Sequence, residues 1–320
     1  MQRISNDIID RMIQAKLTKC EMNLMLFLSF YQDEYGRVYG VHYKEVCAAT
    51  GMSYQEFYNA KKSLVEKKFI YAEKSNHIDH DITIRNNAFL TREDDKRGYI
   101  NTGHNIFHTK EFYQLKAGAM LLALKLMKNT YDKRGYFKIG VKNFYEKYTQ
   151  LFGVTKRMLR HYLMQLKCFF SIGIKEGNYY IEPKKIIYKK PGGKSEAECL
   201  REQRTQAVLR RNRIKNVTSE QNEDIRTFFR QYEPTARDKG KRLFFLIDAA
   251  IAASIAGKKK RSLNMLLIHK LIRKSLFDEP EYDHIKCSGN NQNQFLNMDH
   301  RDYDYDELER LFLNNQPQNI

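Results

Sequence analysis

GVTKRMLRHYLMQLK, residues Gly153 to Lys167, decides the reading of this chain. The stretch opens on a glycine turn and a threonine able to cap a helix. Met158, Leu159, Tyr162, Leu163 and Leu166 follow at the spacing of one helical face and predict a buried stripe. Lys156, Arg157, Arg160, His161 and Gln165 fall largely on the other side. Such side chains donate to phosphates and to base edges, which suits the major groove of DNA. A basic amphipathic helix is by itself a common solvated surface. What gives this one weight is a second copy about a hundred residues earlier.

That copy begins at Thr18-Lys-Cys-Glu21, a capping box, and continues as an apolar helix through Met22, Leu24, Met25, Leu26, Phe27, Leu28 and Phe30. Gly36 to Tyr43 is a candidate strand, and Tyr43 to Thr50 a short helix closed at Gly51. Ser53-Tyr-Gln-Glu56 is a second capping box, opening a helix to about Lys68. Its expected inner face is Phe57, Ala60 and Leu64; its outer face carries Tyr54, Tyr58, Lys61 and Lys62. Phe69 to Glu73 and Asp81 to Arg85 are expected strands around a polar loop, KSNHIDH. In the later copy, Leu115 to Tyr131 matches the apolar helix and Gly135 to Val141 the strand. Lys142 to Phe152 is the middle helix, closed at Gly153, and Ile172–Lys175 and Tyr179–Glu182 are strands around a Gly-Asn turn. This order is the winged helix-turn-helix pattern, whose third helix enters the major groove while a hairpin touches the flanking backbone.

The expected fold class is mainly α with small β-wings: two tandem winged helix-turn-helix domains, residues 1–92 and 101–189, followed by an all-helical domain and an acidic tail. Residues 190–217 read as a basic linker and helix, with Ala197 to Lys215 helical and ending in LRRNRIK. Thr218 to Tyr232 is a helix ended by a turn at Glu233-Pro234. Leu243 to Ala256 and Arg261 to Phe277 complete the helical domain, 218–278. The tail, 279–320, contains an Asn/Gln-rich piece and ends in an acidic amphipathic segment.

With 320 residues the chain is long enough for two or three domains. Its 56 Lys and Arg against 38 Asp and Glu give a net charge of +18, which points to a polyanionic partner. No secretory signal opens the chain, and its most apolar stretch, Leu243 to Ala256, is too short to span a bilayer; a cytoplasmic protein with no membrane partner is expected. Cys20, Cys47, Cys168, Cys199 and Cys287 are scattered, without CxxC spacing, so neither a zinc site nor a disulfide framework is indicated.

Two features resemble the replication initiators and DnaD-like replisome organisers of low-GC Gram-positive bacteria, their phages and plasmids. One is the winged-helix architecture over residues 1 to 189. The other is the tail FLNMDHRDYDYDELERLFL, Phe295 to Leu313, similar to the F…QRDYDYDELE ending of such proteins, with His300 in place of glutamine. The resemblance implies binding to origin DNA and recruitment of replication proteins, a replicative helicase or its loader among them, through the tail.

No catalytic constellation emerges, so no enzyme activity, cofactor or metal is expected. PGGKS, Pro191 to Ser195, lacks the first glycine of a phosphate-binding loop, since Tyr188 stands in its place. His77, Asp79, His80 and Asp81 do not have nuclease ligand spacing and read as a solvated wing tip. The expected function is sequence-specific binding of double-stranded DNA in replication initiation, with two recognition helices reading groove segments about 10 base pairs apart. Arg157 and Arg160 are the guanine-reading candidates, supported by Lys156, His161 and Gln165. Tyr54, Gln55, Asn59, Lys61 and Lys62 form the face of the first unit. Lys74, Arg85, Lys175 and Asn178 are expected to set the wings on phosphates, and Lys184 to Lys194 to follow the backbone. The rival readings are a winged-helix transcription regulator whose helical domain forms a homo-oligomer, and a protein that uses its charge alone on a membrane surface.

Overall fold

Two capping boxes set the helices of the first half. In the computed structural model, Thr18 accepts from the Glu21 N–H and Glu21 returns to the Thr18 N–H, starting helix α2 (Lys19–Tyr31). Ser53 and Glu56 do the same for α4 (Tyr54–Glu66). The structure describes residues 2–277 apart from 76–77, 92, 94–95, 132–134, 189–193 and 257–262. The acidic tail, Cys287, His77 and most of the PGGKS stretch lie outside the described residues.

The chain is mostly helical with small antiparallel sheets. Strand β1 (Arg3–Ser5) and helix α1 (Asn6–Gln14) precede α2; strand β2 (Arg37–His42) and helix α3 (Tyr43–Thr50) separate α2 from α4. Strands β3 (Ile70–Lys74) and β4 (Asp79–Ile84) follow, and β5 (Tyr99–Asn101) returns to pair with β1. A short helix, α5 (Lys110–Gln114), leads into the second series: α6 (Ala117–Tyr131), β6 (Phe137–Gly140), α7 (Val141–Phe152), α8 (Lys156–Leu166), β7 (Phe170–Lys175) and β8 (Asn178–Pro183). The two series share one element order. Their sheets also share one strand order, β2-β4-β3 and β6-β8-β7, antiparallel throughout. Gly51 and Gly153 end α3 and α7 in the left-handed conformation, at φ of 74° and 62°, which lets the chain turn sharply into the next helix.

Several expected boundaries change. The hairpin between β7 and β8 turns on Glu176 and Gly177, both at positive φ, rather than on Gly-Asn; Asn178 closes it by donating to the Glu176 carbonyl. The lead-in expected as one amphipathic stretch is a strand plus α1, whose Ile8, Ile9, Met12 and Ile13 are buried against α6 and α7 of the second series. Asp10 pairs there with Lys125 and, at 3.6 Å, with Lys128. One continuous core therefore runs through both series. Two faces joined this way keep a fixed spacing, because separating them would expose many apolar side chains, each worth about 1.5–3 kcal/mol.

The helices that follow are α9 (Glu196–Arg211), α10 (Ser219–Asp238), α11 (Leu243–Ile255) and α12 (Met265–Phe277). The turn expected at Glu233-Pro234 is absent: α10 continues through Pro234 to Asp238. Proline removes one backbone donor, but Tyr232 and Ala236 on either side are buried in the helical core, and their packing carries the helix across.

The helix expected from Ala197 to Lys215 is α9, ending at Arg211. It packs on β2, and the core of the helical region takes in Tyr39 of that strand. A β-bulge between Val38 and Val41 turns Tyr39 out of its own sheet to stack on Phe244 at 4.7 Å. Gly40 sits at φ 62° with Ala207 so close that an added Cβ would lie 2.4 Å from the Ala207 Cβ. Residues Met1–Phe277 accordingly form one compact unit.

Candidate nucleic-acid interface

Helix α8 is positioned by four buried side chains, Leu159, Tyr162, Leu163 and Leu166. Thr155 caps it by accepting from the Met158 N–H at 3.2 Å. The cap contributes about 1 kcal/mol, less than any one of the buried side chains. Gly118 lets α6 lie directly against the Tyr162 ring, which a Cβ would meet at 2.5 Å. Met158, expected inside, is 37% exposed, because the core stripe is narrower than the apolar pattern.

On the outer side, Lys156, Arg157, Arg160 and His161 are all exposed. Among the described residues, Lys156, Arg157 and His161 have no hydrogen-bond or ion-pair partner. Arg160 lies near the Tyr145 hydroxyl, which shares a 3.0 Å hydrogen bond with the Tyr179 hydroxyl. The pattern of α8 alone could not show Tyr145 and Tyr179; only the packing of α7 on β8 brings them there. Gln165, expected on this face, is half-buried with an enclosed Oε1, and contributes nothing to it. Lys175 projects from the hairpin, 3.9 Å from Glu176, while the Asn178 amide is committed to its own turn.

The face of α4 is different. Tyr54, Gln55, Asn59 and Lys62 are exposed, and Lys74 and Arg85 are exposed on the adjoining strands. Gln55 donates to the Asn59 Oδ1 at 2.9 Å, which engages one donor and one acceptor and leaves the Gln55 oxygen and the Asn59 N–H groups open. Lys61, expected to face outward, is half-buried, with Nζ 2.9 Å from His80 Nε2 and 4.7 Å from the Tyr58 ring centre. Burial, and then the Lys74 ammonium, lower its pKa.

His80 and its neighbours are not a solvated wing tip. Asp79, His80 and Asp81 belong to β4, and Asp79 is completely buried. Arg210 from α9 donates through Nε to both Asp79 oxygens at 3.2 Å, to Glu45 at 2.5 Å and to the Gly40 carbonyl at 2.8 Å. Arg211 bridges Asp81 at 2.6 Å and Asp248 at 3.2 Å. Arg210 and Arg211 of the LRRNRIK run are therefore consumed inside the protein, whereas Arg213 and Lys215 are exposed, and these carboxylates are engaged by arginine. Of the basic stretch from Lys184 to Lys194, Lys184 bonds the Lys167 carbonyl at 2.6 Å and Lys194 pairs with Glu202 at 2.5 Å; 189–193 lie outside the described residues.

Burial, reinforced by the Lys61 and Lys74 ammoniums, pushes the His80 pKa from 6.5 down to about 4. The folded protein thus holds His80 neutral where the unfolded chain binds a proton. Between pH about 6.5 and about 4 the unfolded state takes up the extra proton, so stability falls as pH drops through that window. His80→Asn, which keeps an acceptor for Lys61, is expected to flatten this part of the profile. Urea midpoints from pH 7.5 to 4.5 measure it, and parallel curves for the two proteins would refute the assignment.

No helix among the described residues is long and apolar enough to cross a membrane. No protein-family model, curated protein or solved structure matches this chain.

Proposed function

We propose that the two series are tandem winged helix-turn-helix units, and that the chain binds double-stranded DNA sequence-specifically in replication initiation. The observation that carries this reading is the contrast in how the cations are used. Arg204, Arg210 and Arg211 are neutralised by Glu233, Asp79, Glu45, Asp81 and Asp248. On α8, by contrast, Lys156 and Arg157 stand exposed without an acidic partner among the described residues, beside the exposed Arg160. A rigid helix presenting unneutralised guanidinium groups suits phosphates and guanine edges. The shared core of the two series would hold α4 at a fixed spacing from α8. The acidic tail would recruit a replication protein, since Leu308, Leu311 and Phe312 recur at helical spacing among its acidic residues. Catalysis, a cofactor or a metal has no part in this reading.

Counterion release gives the direct test. Log affinity for a duplex should fall linearly with log salt, with a slope of about −0.9 per phosphate neutralised. Lys175→Ala, at the wing, should reduce the magnitude of that slope by about 0.9 while leaving sequence preference intact. Fluorescence anisotropy across a potassium chloride series measures both, and an affinity indifferent to salt would refute duplex binding. Protection of origin DNA rather than promoter DNA in footprinting separates a replication role from transcriptional regulation.

A further inference from the structure

On the α4 face the groups suited to reading base edges are partly engaged with one another or turned inward, while one aromatic ring stands exposed. Gln55 and Asn59 bond each other, and Lys61 is turned onto His80. Tyr54 is 55% exposed. Its ring lies 4.9 Å from Tyr43, edge-on, and 4.6 Å from Tyr58, tilted. Tyr58 is braced in turn by His80 at 6.0 Å and by the Lys61 ammonium. The cluster is therefore held from below by β4 and α3, on a helix started by its own capping box. Exposed ammonium groups lie on the same elements: Lys44 next to Tyr43 in the chain, Lys62 on α4 at 4.0 Å from Glu66, and Lys74, close enough to help lower the pKa of both Lys61 and His80.

In a duplex the faces of the bases are covered by their neighbours, and only edges and phosphates are offered. An exposed tyrosine ring, braced by two half-buried ones and flanked by cations, instead matches the stacking platforms that hold unpaired bases. We propose that the Tyr43–Tyr54–Tyr58 cluster binds single-stranded nucleic acid, with a base stacked on Tyr54 and the backbone on Lys44, Lys62 and Lys74. This rests on reading the chain as a nucleic-acid binder and divides the labour between its units: α8 takes the duplex, and α4 takes a strand that has been opened.

The test uses the full chain and fluorescein-labelled (dT)20, (rU)20 and a duplex, read by anisotropy. Tyr54→Ala should weaken (dT)20 binding by about tenfold, the lower-middle of the range for one stacked base, and leave duplex binding unchanged. Tyr54→Phe, which keeps the ring face, should bind like the wild type. Arg157→Ala should do the opposite of Tyr54→Ala, losing duplex affinity and keeping (dT)20. The (rU)20 arm tells a deoxyribose strand from RNA; tight binding of either with the same Tyr54 dependence supports the proposal. No binding of either strand by the wild type assigns the rings to a protein contact and overturns it. Equal binding of (dT)20 by wild type and Tyr54→Ala also overturns it. If single strands bind in a Tyr54-dependent manner and no duplex binds, the duplex reading fails and this one stands.

Discussion

Replacing Arg157 and Arg160 together by alanine is expected to lower affinity for the preferred duplex by about 100-fold or more. The figure follows from about 1–3 kcal/mol for each bidentate arginine contact to a base. Both side chains are exposed on α8 and outside its buried stripe, so the double variant should unfold within about 0.5 kcal/mol of the wild type. The preferred duplex is the one the wild-type protein enriches from a random pool, and anisotropy gives the two affinities. Replacement by lysine separates base reading from charge. Lysine keeps the cation but loses the planar fork and, at position 160, its fit to the Tyr145 hydroxyl. The lysine variant should therefore retain the salt slope and lose preference among sequences. Were it to discriminate as well as the wild type, α8 would be a phosphate anchor only.

The second large effect lies at Arg210. Arg210→Met keeps most of the apolar stem and deprives the buried Asp79 carboxylate of its guanidinium. Removing one member of a buried pair costs about 3–5 kcal/mol, and a comparable loss of stability is expected in urea unfolding. The cluster is not itself a strong net source of stability. Burial raises the pKa of Asp81, Asp248 and Glu45 in spite of the arginines beside them, so desolvation outweighs attraction at each. Arg210→Met combined with Asp79→Leu should accordingly recover part of the loss, because the fully buried carboxylate is then gone while Glu45 still lacks its arginine. A shift for Arg210→Met no larger than that for the exposed Arg213→Met would show that the cluster does not lock α9 to β2.

That lock is specific to the first sheet. Register pairs Asp81 with Glu73 and Tyr180 with Gly173, at equivalent places in the two sheets, and Asp79 stands where the second sheet has Asn178. The bulge that frees Tyr39 also has no counterpart in the β6–β8 pairing. The helical region thus finds its acids and its aromatic ring on one sheet and neither on the other.

The local signals were legible wherever one segment sufficed. Thr18-x-x-Glu21 and Ser53-x-x-Glu56 are capping boxes in the sequence and in the fold, because a box closes within a single helical turn. Gly51 and Gly153 end their helices as expected, since the left-handed residue depends only on its own backbone. The outer face of α8 was legible for the same reason. Pro234 misled, because its local preference lost to the burial of Tyr232 and Ala236 on either side. Asp79 and Asp81 misled more deeply. Their polarity reads as a loop until arginines about 130 residues later are folded against them.

By itself, then, the sequence determined the helices, their caps, the repeated order and the basic face of Gly153 to Lys167, all features set by periodicity and by neighbours a few residues apart. Tertiary structure alone decided which charges remain for a ligand. Lys156 and Arg157 stay unneutralised while Arg210 and Arg211 are consumed, and Lys61 turns inward while Tyr54 stays open. The physical reason is that a charge is available only if no opposite charge is packed against it, and the partners that settle this are distant in the chain.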